Sequence, residues 1–100
     1  MPKAPMSKAY VITRADILDA EAYAAYAAGA TAAIAAHGGT ALVRGGRHEA
    51  LEGEARARNV VLEFASWEAA QGYYASAQYQ AAKALREGAA VIEMVLVEGV

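Results

Sequence analysis

Three charged residues of this 100-residue chain stand among apolar, strand-forming neighbours: Arg14 closes Tyr10-Val-Ile-Thr-Arg14, Arg44 closes Ala41-Leu-Val-Arg44, and Glu63 interrupts Val60-Val-Leu-Glu-Phe64. A charge drawn partly out of water is costly unless it is paired or ligated. One reading makes the three a polar cluster that holds an anionic or polar ligand between a sheet and a helix, or in a barrel centre. The other makes them ion pairs that fix the sheet or a dimer, and general experience with buried charges favours it. Tyr23, Tyr26, Tyr73, Tyr74 and Tyr79 add phenols with an apolar body and a polar tip. Such side chains suit the walls of a ligand cavity, and equally the packing space that alanine leaves open. The ligand-binding candidates are therefore Arg44, Glu63, Arg14, Tyr23, Tyr74 and Tyr79.

His37 is the first candidate for a general base, since an imidazole titrates near neutrality. Its place at the end of a helix already accounts for it, because a cation there meets the negative end of the helix dipole. Tyr26 is the second candidate for moving a proton, with Arg44 holding an oxyanion. His48 lies in a polar stretch and reads as solvent-facing. Two histidines with ten residues between them, in a chain without cysteine, form no recognisable metal site. Ser7, Ser66 and Ser76 read as a tail residue and two helix caps, so no nucleophilic triad is legible. Gly38-Gly39 lacks phosphate-loop spacing, and one Arg-Gly-Gly-Arg in an acidic chain is a turn rather than an RNA-binding tract. No cofactor or metal is expected.

The formal net charge of −2 leaves no electrostatic footprint for nucleic acid. The absence of cysteine removes disulfides and thiolate chemistry. Alanine fills more than a quarter of the chain, so the 57% hydrophobic fraction overstates the core. No apolar run reads as a membrane span and no secretory leader is visible, so a cytoplasmic protein with no membrane partner is the expectation.

Positioning falls to four strands and three helices. Met1 to Ser7, with both prolines, reads as a disordered tail, and residues 8–100 as one domain. Lys8 to Ala15 is the first strand, broken by Asp16 and Asp19. Asp19 is placed to cap a helix from Ala20 to Ala36, with Gly38 or Gly39 as its stop. Thr40 to Arg44 is a second strand, and Arg47 to Glu52 a short return strand or an extended arm. The organising strand runs from Asn59 to Ala65. Ser66 opens a helix that Ser76 interrupts and restarts through about Glu87, before a last strand from Val91 to Val97. The order is a repeated split βαβ: an α+β, ferredoxin-like four-stranded antiparallel sheet with helices on one face and the first and third strands central. Val61, Glu63, Val95 and Val97 then point away from the helices. A second copy packing on that apolar face is the expected partner, giving a two-fold homodimer.

With these elements in place the chain resembles the bacterial family called domain of unknown function 1330, in the dimeric α/β-barrel superfamily. The likeness spans nearly everything from Lys8. It rests on the strand Lys8 to Arg14, on Ala22-Tyr23 and Tyr26, and on Gly38-Gly39 followed by Leu42-Val43-Arg44-Gly45-Gly46. It continues through Leu51-Glu52-Gly53, Val61, Glu63-Phe64 and Ser66, to Ala70, Tyr73-Tyr74, Ser76, Tyr79-Gln80 and Arg86. Ala65 stands where a proline is common in the family, a change that spares the cap at Ser66. The resemblance implies a dimeric ferredoxin-like barrel and no settled activity. Relatives in the superfamily include cofactor-free monooxygenases, lactone isomerases, haem-handling proteins and stress-induced proteins. The reading carried forward is a small dimeric protein with an organic ligand in a sheet–helix cleft. A cofactor-free monooxygenase or isomerase is one alternative, and a packed interaction module with no ligand another.

Overall fold

A computed structural model describes residues 7–100, so the expected tail lies, apart from Ser7, outside the described residues. The elements follow in the order β1 (Ala9–Ile17), α1 (Ala20–Ala36), β2 (Thr40–Arg44), β3 (Arg58–Phe64), α2 (Trp67–Ala75), α3 (Ala77–Leu85) and β4 (Ala90–Glu98). The four strands form one antiparallel sheet in the order β2-β3-β1-β4. This is the ferredoxin-like α+β fold, with β1 and β3 central as the pattern predicts. Asp16 does not end the first strand, which runs on to Ile17 because β4 pairs with it that far. Arg47 to Glu52 forms no return strand; residues 45–57 cross from β2 to β3 as an irregular arm.

Local chemistry fixes the helix ends. The Asp19 carboxylate accepts from the amides of Glu21 and Ala22, both at 3.1 Å, satisfying donors that a first turn leaves free. The Ser66 hydroxyl accepts from Ala69 at 3.0 Å. Ser76 does two jobs: its hydroxyl accepts from the Tyr79 amide at 3.1 Å and donates to the Tyr73 carbonyl at 2.7 Å. One side chain therefore closes α2 and opens α3.

Alternation divides the sheet. Ala9, Val11, Thr13, Ala15, Leu62 and Phe64 face the helices and are buried. Rings fill the space above them, with Phe64 against Tyr73 at 5.1 Å between centroids and Tyr73 against Tyr79 at 4.9 Å. The close approach that alanine permits is made between helices: a Cβ on Gly29 of α1 would lie 2.8 Å from the Ala82 Cβ of α3. The molecule is only 18 Å thick, the depth of one sheet and one helical layer. On the second face the arm reaches Asp16, Glu93 and the Arg14 end, and the rest of that face has no helix over it within the described chain.

Candidate functional site between helix α1 and the sheet

Between α1 and the sheet lies a cleft of about 70 Å³. Helix α1 supplies Tyr23, Tyr26, Ala27 and Ala30, the sheet supplies Thr13, Val60, Leu62, Arg44 and Arg58, and Tyr73 of α2 reaches in. The space exists because small side chains, Ala27, Ala30 and Thr31, line α1 between the tyrosines and Ile34. The Tyr23 and Tyr26 rings pack at 5.3 Å between centroids, tilted by 49°, as one wall.

A bulge in β2 decides which charge enters. Ala41 pairs with Leu62, but Val43, not Leu42, pairs with Val61, and Arg44 pairs with Val60. Simple alternation from Ala41 would send Arg44 to the outer face. The extra residue, Leu42, reverses the parity and brings Arg44 to the helix side. Gly45 then turns with a φ of 73°, and its amide donates to the Asn59 carbonyl at 2.8 Å. A Cβ at 45 would lie 2.8 Å from the Arg58 Nη1, so that flexible guanidinium would have to shift from its place. Arg58 is half-buried, with its guanidinium carbon 5.7 Å from the Tyr23 ring centroid, and its Nε is buried with no hydrogen-bond partner among the described residues.

Behind the cleft the phenols are linked. The hydroxyls of Tyr26 and Tyr79 are 3.0 Å apart. Arg86 donates to Tyr79 at 3.4 Å and lies over the Tyr26 ring at 4.9 Å. Burial pushes the Tyr26 phenol far above its ordinary range, reinforced by the hydrogen bond to Tyr79, and burial does the same to Tyr73. Both phenols keep their protons at neutral pH, so they act there as hydrogen-bonding groups and not as bases.

The model of a domain of unknown function, DUF1330, matches residues 8–100. The chain belongs to the DUF1330 family. No curated protein matches it. Among solved structures, this DUF1330 protein is similar to RPA0582, a protein of unknown function from Rhodopseudomonas palustris. The TM-score is 0.77 at 20% identity, covering 95% of this chain and 84% of that one. It is also similar to SnoaB, a cofactor-independent oxygenase from Streptomyces nogalater, with a TM-score of 0.59 at 14% identity and 90% of each chain covered. At such identities the likeness concerns the fold, which is the one the resemblance to the dimeric α/β-barrel superfamily implies.

The candidate residues of this DUF1330 chain divide by location. Arg44, Tyr23 and Tyr26 meet in the cleft. Tyr79 lies in the core behind it, fully buried. Tyr74 is outside, packed against Tyr79 at 5.2 Å between tilted rings and hydrogen-bonded by Lys83 at 3.0 Å. Glu63 is on the opposite face of the sheet, where Tyr10 donates to it at 3.1 Å and Lys8 at 3.4 Å. That hydrogen bond is the main reason the Tyr10 phenol is raised. Arg14, paired with Asn59 and Glu93, shares the outer face. His37 caps α1 with its Nδ1 2.9 Å from the Ala33 carbonyl, which can only accept, so Nδ1 carries the proton. Its ring is 6.4 Å from that of Tyr73, and it does not line the cleft.

The strongest cleft residue missed from sequence is Arg58. The signal was present: Arg58, Val60, Leu62 and Phe64 share one strand face at period two. Starting the strand at Asn59 hid it.

Proposed function

We propose that this DUF1330 protein is a homodimer that binds a small organic ligand in the cleft between α1 and the sheet. The observation that carries the reading is the space that Ala27 and Ala30 leave open between a tyrosine wall and two arginines. Ligand sites are concave, mostly apolar and carry a few converging polar groups, a lining that this cleft shares on a small scale. The lining contains no carboxylate and no histidine among the described residues. Its polar groups are guanidiniums, hydroxyls and protonated phenols, which hold a ligand better than they move a proton.

Filling the cleft tests this. Wild-type protein should gain thermal stability from members of a panel of small organic acids, quinols and lactones, while Ala27→Leu should melt cooperatively and respond to none of them. Equal shifts in both proteins would remove the cleft as the site, and no shift in the wild type would leave a packed interaction module.

A second reading, a cofactor-free oxygenase or isomerase, is favoured by the fold shared with SnoaB. Oxygen uptake or lactone isomerisation that vanishes in His37→Ala or Tyr26→Phe would replace the binding reading. Binding that survives His37→Ala with no turnover would retain it.

The homodimer is supported by Val91, Val95 and Val97, which are 42–52% exposed along one edge of the uncovered face, next to the half-buried Ile12 and Val61. Light scattering should give twice the 10.4 kDa of one chain; a mass of one chain would end the proposal.

A further inference from the structure

We infer that the cleft takes the carboxylate of a small organic acid, gripped by Arg58 and Arg44, with the acid's apolar tail lying against the tyrosine wall. This rests on the ligand-binding reading above and adds the chemical class. The first reason is the buried Arg58 Nε, which has no acceptor among the described residues. A guanidinium N–H withdrawn from water without an acceptor is costly, and an oxygen from a ligand relieves that cost.

The second reason is charge. Among the described residues the ion pairs engage Lys8 and Arg56, so neither cleft arginine has a carboxylate of the chain beside it. Two guanidiniums sharing a mostly apolar cleft with no acidic residue favour an anion between them. The planar fork of arginine matches a carboxylate in two parallel hydrogen bonds.

The third reason is that local structure spends residues to hold this pair. The bulge at Leu42 turns Arg44 inward, and Gly45 leaves room for the Arg58 Nη1. The Nε of Arg86 is also buried without a partner, but that side chain donates to Tyr79, covers Tyr26 and does not line the cleft.

Size limits the acid. A water needs roughly 10–15 Å³ of such space, so 70 Å³ holds about five to seven non-hydrogen atoms. Butyrate has the right charge and bulk, butyramide is its uncharged counterpart, and inorganic phosphate is an oxyanion without a tail.

Calorimetric titration of the full chain with these three probes tests the inference. Butyrate should bind about tenfold or more tightly than butyramide, and Arg58→Gln should remove that preference while leaving the weaker butyramide affinity in place. Arg44→Gln should weaken butyrate less, because Arg44 is the more exposed of the two. Butyramide binding as well as butyrate in the wild type would overturn the carboxylate assignment and leave the ligand cleft standing. Phosphate binding as well as butyrate would overturn it in favour of a bare oxyanion site. Failure of all three probes, together with an Ala27→Leu protein that behaves as wild type across the wider panel, would overturn both readings.

Discussion

On the helix side of the sheet, Ala9, Val11, Leu62 and Phe64 lie under the chain's own rings and are almost inaccessible. On the other side, Val91, Val95 and Val97 keep roughly half of their surface. Charge is distributed the opposite way. Outer-face carboxylates find partners: Lys8 and Tyr10 meet Glu63, while Arg56 reaches Asp16 and Glu93, each at 2.7 Å. The helix side carries Arg44 and Arg58, and among the described residues no carboxylate answers either. Arg56 and Arg58 are two residues apart, one tied to two carboxylates and the other with a buried Nε left open. A face that binds a copy of itself needs its charges neutralised before contact, since a desolvated, unpaired charge opposes association. A face that binds an anion must leave its cations unanswered. Arg14, also on the outer face, has no ion pair among the described residues. The two sides therefore differ in their exposed apolar surface and in the buried, open Nε of Arg58, and the proposed dimer and ligand site rest on those two differences.

Substitutions can sharpen that contrast, beginning with the largest effect. Phe64→Ala and Tyr73→Ala remove rings that are 1% exposed, and each should cost about 3–5 kcal/mol in denaturant unfolding. A cost under about 1 kcal/mol would mean that the helix side is not the core. Val61→Asp, in the middle of the outer face, should convert a dimer to monomers in light scattering, with the fold kept by circular dichroism. An unchanged mass would place the interface elsewhere. Tyr26→Phe removes one hydroxyl from the pair with Tyr79 and should cost about 1 kcal/mol.

The same phenols set an alkaline limit. Burial raises Tyr26 and Tyr73 in the folded protein, whereas the unfolded chain releases those protons near the ordinary value of about 10. Their contribution is complete below that pH and is lost as pH rises above it. The melting temperature should therefore hold from neutrality to about pH 9 and fall beyond about 10, less steeply in Tyr26→Phe. The smallest effect belongs to Arg56→Gln on the outer face. The Ala57 amide and then Arg56 lower the Asp16 carboxyl, so the loss should show only above the acid range and fade as Asp16 becomes protonated.

Element types and the helix caps were legible because they depend on neighbours in sequence. Asp19, Ser66 and Ser76 cap their helices through amides two or three residues away. The helix side of β3 could be read at Leu62 and Phe64 from alternation alone, and Arg58 was readable by the same rule once the strand was started one residue earlier. Glu63 and Arg44 were harder. Both lie at strand positions, and sequence grouped them in one polar cluster, yet the sheet separates them onto opposite faces. His37 likewise sits near the Phe64–Tyr73 stack while Arg44 opens on the Tyr23 side, a separation set by where along α1 each strand passes.

The chain's own order of residues therefore determined the split βαβ pattern, the helix boundaries and the apolar character of the outer face, because periodicity and capping act over a few residues. Only the folded sheet decided which charges share a space. A strand's facing depends on its register with a partner far away in sequence, and a single unpaired residue, Leu42, reverses that facing and carries Arg44 from the solvent side into the cleft beside Arg58.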